Sequence, residues 1–306
     1  MPHTIRSARV FPDKDFPLRV MRAPSHAPTA LHSHEFTELV MILAGRGRHV
    51  TDRVEYPIET GDVFVIRGDR VHGYRDTRQM DLINILFSPR RLGLPMADLG
   101  DIPGYHVLFR IEPRLREQSG FAARLRLNAR QLGEAVGILS RLEEELASTA
   151  PGHRFLACAW LMHLIGYLSR CYHARGPERH PMLGIGRVLS YMEQHLADRV
   201  RVGDLARVAA MSESTLTRRF RDILGRPPAD YLLNLRIRKA AEFLPQYDLR
   251  VTDVAFRCGF NDSNYFSRQF RRLMGQSPRA FRRKLQPAIS PALQRRATAL
   301  APRSAV

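Results

Sequence analysis

Cysteine is scarce in this sequence: Cys158, Cys171 and Cys258 are the three in 306 residues, and they follow no repeated spacing. That excludes a disulfide framework or a zinc-binding cysteine cluster and fits buried thiols in a reducing compartment. Long apolar runs are missing as well. The most apolar stretch, Phe155 to Leu168, is too short to span a bilayer and contains His163. Met1 to Phe16 shows no apolar run of a secretory leader. A soluble, cytoplasmic chain without a membrane partner is expected. Acidic side chains are in deficit, 30 against 48 Lys and Arg, which leaves a net charge of +18. A surplus of that size points to nucleic acid or another anionic surface without specifying a fold.

The pattern along the chain predicts a multidomain α and β protein. Residues 1–116 form an N-terminal β-barrel, 117–180 a helical connector with a linker, 181–285 an all-α domain, and 286–306 a disordered tail. From Leu18 to Phe87, short β-branched and aliphatic runs such as Leu39–Leu43, Asp62–Ile66 and Leu82–Phe87 alternate with charged turns. Gly45, Gly47, Gly61, Gly68 and Gly73 fall beside those runs, where positive φ is expected. The pattern is irregular from Ser88 to Arg116. Leu132, Val136, Leu139, Leu142 and Leu146 then make a helical stripe over Gln131–Ala147. Arg154–Tyr172 is apolar on most faces, which suits either an intradomain helix pair or a homodimer seam. Pro177 and Pro181 mark the polar stretch from Ala174 as a linker.

The most informative feature is an internal repeat. Arg201-Val202-x-Asp204-Leu205-Ala206 returns as Arg250-Val251-x-Asp253-Val254-Ala255, an offset of 49. Leu216-x-Arg218-x-Phe220 with Gly225 and Pro228 returns as Phe266-x-Arg268-x-Phe270 with Gly275 and Pro278, an offset of 50. The slip falls between two helices, where a turn absorbs it. Each unit therefore reads helix, tight turn, helix, with Ser212 capping the second helix of one unit and Asn261 or Asp262 that of the other. This arrangement lays its second helix in the DNA major groove.

With Leu216, Phe220, Phe266 and Phe270 facing inward, helical geometry turns Ser214, Thr217 and Arg218, and Ser263, Asn264, Ser267 and Arg268, towards base edges. Arg forks onto guanine, Asn onto adenine, and Ser or Thr onto several partners. Arg219, Arg221, Arg271, Arg272, Arg279, Arg282, Arg283 and Lys284 are placed to hold phosphates and register. Residues 201–286 contain 18 Lys and Arg against 8 Asp and Glu, so more than half of the positive excess sits on this region. Between the units, Pro228–Leu244 reads as a long helix separating the two readers by about one turn of DNA, about 34 Å.

The stretch from Met182 to Lys284 resembles the DNA-binding domain of the AraC/XylS family. The resemblance is carried by Ala206, Ser212-x3-Leu216-x-Arg218-x-Phe220, Gly225-x2-Pro228, Leu235-Arg236-x3-Ala240-x3-Leu244, Asp253-x-Ala255, Gly259-Phe260, Tyr265-Phe266-x3-Phe270 and Gly275-x2-Pro278. It implies a transcription regulator, usually an activator that touches RNA polymerase, with double-stranded DNA as its partner. Pro245-Gln246-Tyr247 departs from the pattern and is expected to end the connecting helix slightly early.

His32-x-His34-x3-Glu38-x6-Gly45 resembles the first cupin motif, and Gly61-x5-Arg67-x4-His72 the second. Arg67 stands where Pro is usual, Asp69 where Gly is usual, and Asp76 where Asn is common. The resemblance implies that His32, His34, Glu38 and His72 converge inside a cupin-like barrel. Three roles stay open for them: hydrogen-bonding a small-molecule effector, holding a divalent metal, or satisfying one another as barrel polars. No cofactor is expected, and no Ser-His-Asp arrangement, phosphate loop or further carboxylate pair supports catalysis. The contrasting alternative is a metal-binding cupin enzyme with an accessory DNA-binding domain. Leu82-x-Asn84-x-Leu86-Phe87 and Asp101-x-Pro103-Gly104-Tyr105-x3-Phe109-x2-Glu112-Pro113 resemble the regulators of rhamnose use in the same family, which implies a sugar or polyol effector.

Overall fold

The computed structural model describes residues 3–95, 98–119, 124–173, 181–246 and 249–285. The expected tail, and the expected linker up to residue 180, lie outside these. Contacts divide the chain into two units, Met1–Gln194 with Val202–Pro227, and His195–Arg201 with Pro228–Val306.

In the first unit, β1 (His3–Ile5), α1 (Ser7–Val10), β2 (Leu18–Ala23), β3 (Thr29–His34), β4 (Thr37–Thr51), β5 (Glu55–Glu59), β6 (Asp62–Ile66) and β7 (His72–Phe87) precede the connector. With β8 (Leu125–Arg126) the strands form one eight-stranded sheet in the order β1-β3-β7-β4-β6-β8, β2 adding to β7 and β5 to β4. The edge strands β1 and β8 are too short to leave a period in the sequence. Leu39 to Ile42 of β4 are all buried, so this part of the strand reads as a continuous apolar run and not as an alternation. Val40, Ile42, Tyr56, Ile58, Phe64, Ile66, Tyr74, Met80 and Leu82 make its core.

The pairing of β4 with β7 shifts register between Ile42 and Arg48, and Gly45 takes φ +73 there, with Gln79 O where a Cβ would stand at 2.0 Å. Such bulges bend a long strand round a barrel corner. Gly61 likewise has positive φ, but Gly47, Gly68 and Gly73 do not. Close approach selects them instead: a Cβ on Gly73 would lie 2.7 Å from Thr29 O.

The stretch expected to be irregular contains α2 (Pro89–Leu92), α3 (Pro103–His106), a π-turn at Val107–Ile111 and α4 (Glu112–Ser119). Val107, Leu108 and Ile111 are buried. α5 (Ala129–Ala147) begins with a reciprocal cap: Gln131 N donates to Asn128 Oδ1 at 2.9 Å and Asn128 N to Gln131 Oε1 at 3.1 Å. Leu139 and Leu142 of its stripe are buried, and Glu143 takes Arg22 of β2 in a bidentate pair at 2.8 and 2.7 Å. α6 (His153–His173) buries Leu161, Leu164, Ile165 and Leu168 but leaves Phe155 76% exposed. α7 (Pro181–Gln194), α8 (Val202–Ala209) and α9 (Glu213–Leu224) complete the unit.

The second unit holds α10 (Pro228–Gln246), α11 (Val251–Arg257), α12 (Ser263–Met274) and α13 (Pro278–Leu285). α10 runs one residue beyond Pro245, because a proline in the last turn removes one backbone bond without stopping the chain there. Phe260, Phe266 and Phe270 pack with Ile237, Ala240, Leu244 and Val254. Cys171 and Cys258 are buried, and none of the three cysteines forms a disulfide among the described residues. No helix among the described residues is long and apolar enough to cross a membrane.

Candidate nucleic-acid interface and barrel cavity

Both repeats fold as helix, turn, helix, and the capping chemistry fixes where each second helix starts. Ser212 accepts from Thr215 N and opens α9. Asp262, not Asn261, accepts from Asn264 N at 2.7 Å and Tyr265 N at 2.9 Å and opens α12. Those two bonds hold the Asp262 carboxyl below the usual carboxylate range. Gly225 and Gly275 end the helices in the left-handed conformation, φ +73 and +74.

The turns explain the slip from 49 to 50. Met211 N bonds Ala206 O and Phe260 N bonds Ala255 O, both at 3.0 Å and still 49 apart. The caps Ser212 and Asp262 are 50 apart, so Asn261 is the inserted residue. Ala210, at φ +53, occupies the left-handed position that Gly259 fills at φ +79. A Cβ on Gly259 would lie 2.5 Å from Leu196 O and 2.8 Å from Arg236 Cζ. Arg236 donates to Leu196 O at 2.8 Å and Asp198 O at 2.6 Å, pinning this turn from below.

Leu216, Phe220, Phe266 and Phe270 are buried, and the expected readers lie on the remaining faces. Ser214, Arg218, Asn264 and Arg268 are exposed, and Thr217, Ser263 and Ser267 half-buried. Ser214 sits within 3.1 Å of the cap hydroxyl of Ser212. Of the expected phosphate holders, Arg221, Arg271, Arg272, Arg279, Arg283 and Lys284 are exposed, and Arg219 is half-buried. Arg282 is half-buried and donates to Leu249 O at 2.5 Å, so its guanidinium ties α13 to the segment before α11.

In the barrel, β3 carries His32 and His34 two residues apart on one face, and His72 pairs with His32 across the sheet. His34 Nε2 lies 3.0 Å and His72 Nε2 3.5 Å from the same Glu38 oxygen. The His32 and His72 rings are 4.3 Å apart. All four expected residues are therefore brought together. His34, Glu38 and His72 are buried. Each histidine places Nδ1 on a backbone carbonyl: His32 on Ala30 at 3.0 Å, His34 on Phe36 at 2.8 Å, His72 on Arg70 at 3.1 Å. A carbonyl only accepts, so each Nδ1 donates its hydrogen there, and Nε2 is the nitrogen left to face Glu38. Burial opposes ionisation of Glu38, but the His34 and His72 contacts outweigh it and push its pKa well down. Burial pushes His32 down.

Sequence patterns missed the other half of this interior. His49 of β4 stands opposite Tyr56 of β5 in register, and its Nδ1 lies 2.5 Å from Tyr56 Oη. Burial first, then the charge of Arg116, holds the His49 pKa well below its ordinary value. Arg116 enters from α4, 4.9 Å from the Phe64 ring, and pairs with Glu112 at 3.4 Å. A cavity of about 160 Å3 lies here, with His49, Thr51, Arg67, Arg70, His72, Pro113 and Arg116 in its wall. No local motif announces this group, because two strands and a helix assemble it.

α4 has a second contact. Arg114 Nη1 donates to Leu224 O, at the end of α9, at 3.0 Å. Nearby, Arg110 Nη1 lies 2.6 Å from Glu193 Oε1, and His106 Nε2 donates to Gly100 O at 2.7 Å. Burial, then the Arg110 charge, lowers the His106 pKa to about 3.

Residues 21–164 match the model of the AraC-like ligand binding domain, and residues 205–284 that of a helix-turn-helix domain. The chain is 30% identical over 282 residues to the HTH-type transcriptional activator RhaS of Enterobacter sp., which covers 91% of this chain and 96% of that protein. It is 30% identical over 263 residues to RhaR of the same source, covering 85% and 89%. To RhaR of Mannheimia succiniciproducens it is 27% identical over 272 residues, covering 89% and 94%.

Proposed function

The chain belongs to the AraC family of DNA-binding transcription regulators, and from that premise we propose that it is an activator switched by a small molecule held in its barrel. Ser214, Thr217, Arg218, Ser263, Asn264, Ser267 and Arg268 read base edges. Arg219, Arg221, Arg271, Arg272, Arg279, Arg283 and Lys284 hold phosphates. Arg282 joins them only by releasing Leu249. His32, His34, Glu38 and His72 form the effector-binding cluster, with His72 in the cavity wall. The relatives are named transcriptional activators, which favours activation; a sugar-related effector and contact with RNA polymerase rest on the family resemblance of the sequence.

One observation carries the switching. α4 contributes Pro113 and Arg116 to the cavity wall and, through Arg114, bonds the end of α9. A ligand that prefers one setting of α4 therefore biases how the first recognition helix is held, and differential affinity for the two settings is all that switching requires. The test maps DNA bound by the full chain across a genome and then measures binding to recovered sites with candidate effectors. Arg114→Ala should keep effector affinity and lose the effector's influence on DNA binding. A variant that still responds fully removes this route.

The Nε2 atoms facing Glu38 also favour a divalent cation as part of the effector site. Their donor set, two imidazole nitrogens and a carboxylate, suits such an ion. His34, Glu38 and His72 would hold it, and it would supply positive charge towards an effector oxygen. Metal analysis of the purified chain and of a His32→Ala, His72→Ala double variant separates this form, and the enzyme alternative, from metal-free sensing. Phe155 and Leu156, 76% and 43% exposed on α6, support a second copy as partner.

A further inference from the structure

We propose that the barrel cavity takes a small hydroxylated carboxylate, the acid form of a sugar, in preference to a neutral sugar; this rests on the sensing role proposed above. The proposal follows from the direction of the hydrogen bonds behind the wall. Arg116 bonds the Tyr56 side chain. A guanidinium only donates, so the Tyr56 oxygen accepts there and its own proton turns to His49 Nδ1, 2.5 Å away. That fixes the tautomer of His49: Nδ1 accepts and Nε2 carries the hydrogen. His49 is 1% exposed, lies in the cavity wall, and its Nε2 has no hydrogen-bond partner among the described residues. A buried donor without an acceptor is costly, and an acceptor in the cavity relieves it.

The charges around the rim point the same way. Asp52 lies 3.9 Å from Arg53 and Asp69 3.5 Å from Arg70, so both wall acids have a neighbouring cation. Arg116 has Glu112 at 3.4 Å. The Arg67 side chain, exposed at the rim, makes no ion pair or hydrogen bond with a described residue; only its backbone carbonyl is engaged, by Arg70 N at 3.3 Å. It is also the residue that replaces the usual proline of the second cupin motif, so the departure from the motif adds one uncompensated positive charge to the wall. A carboxylate accepts at both oxygens and brings the opposite charge. A neutral hydroxyl brings a donor of its own to a wall already rich in donors. At about 160 Å3 the cavity is smaller than drug-sized pockets of roughly 300–1,000 Å3, so the occupant has few atoms.

The test uses calorimetric titration of the full-length chain with D-galacturonate and D-gluconate, set against D-galactose and L-rhamnose. At least one acid should bind about tenfold more tightly than either neutral sugar. Arg67→Ala should weaken that acid by about tenfold by removing the free charge. Tyr56→Phe should weaken it severalfold by releasing the His49 tautomer, with unliganded melting curves of both variants reporting the fold. A neutral sugar that binds as tightly as the acids overturns the proposal and leaves the sensing role standing. An acid whose affinity Arg67→Ala leaves unchanged overturns it equally. If acids and neutral sugars all fail to bind at millimolar concentration, both the proposal and the sugar-sensing role fall.

Discussion

Replacing Gly259 by alanine should open the second helix-turn-helix without touching its recognition face. The residue sits at φ +79, where a side chain costs about 1–2 kcal/mol from backbone sterics alone. The added Cβ would stand 2.5 Å from Leu196 O and 2.8 Å from Arg236 Cζ, so the guanidinium has to move. That sacrifices at least one of its bonds to Leu196 and Asp198, each a charged hydrogen bond of about 1.5–3 kcal/mol. The sum is about 3 kcal/mol or more, roughly a hundredfold in a local opening equilibrium. Hydrogen exchange of peptides over α11 and α12 in the full-length chain reads it directly, and affinity for a cognate site should fall alongside. Ala210→Gly, at the matching turn of the first repeat, should have a small effect. It relieves left-handed strain of about 1–2 kcal/mol but adds up to about 1 kcal/mol of unfolded-state entropy. Exchange in Gly259→Ala within twofold of the parent, or a larger loss in Ala210→Gly, would refute the assignment of these turns.

Arg268→Ala should weaken specific binding by about 1–3 kcal/mol and relax preference at one base pair, as read by selection from a random-site library. Arg271→Ala should instead weaken all sites alike and lower the slope of log affinity against log salt by about one. Ser212→Ala removes the α9 cap and should lower stability by about 1 kcal/mol in urea unfolding of the full chain. His106 gives a pH dependence: its folded pKa of about 3 lies below the unfolded value of about 6.5, so its contribution is full above pH 6.5 and is lost as pH falls from there towards 3. About 2 kcal/mol should disappear by pH 5, and His106→Gln should flatten that part of the profile.

The repeated unit was legible in the sequence because its determinants are local. A cap, a turn glycine and an inward stripe recur at nearly constant offset, and the structure adds only that Asn261 is the extra residue and Asp262 the cap. The histidine cluster was legible for a similar reason, since two short motifs carry all four residues. His49, Tyr56 and Arg116 were not, because strand register and a helix some sixty residues later bring them together, and no window of sequence contains that pairing. The helices after Ser88 escaped notice because a π-turn at Val107–Ile111 shifts the apolar period. Arg282 counted as one more surface cation in the sequence, whereas Leu249 O already engages it.

Arg114 and Arg116 are two residues apart on α4, roughly 200° around a helix that turns 100° per residue. They therefore leave the helix on nearly opposite sides, one towards the cavity and one towards the end of α9. In the switching proposed above, a roll of α4 that draws Arg116 inward swings Arg114 the other way, so the helix would work as a rocker and not as a pushrod. Its message would be an angle, with a sign set by the two-residue spacing. Adding or deleting one residue between them would change the phase by about 100° and leave a chain that still senses and still has its readers, with the two no longer geared together.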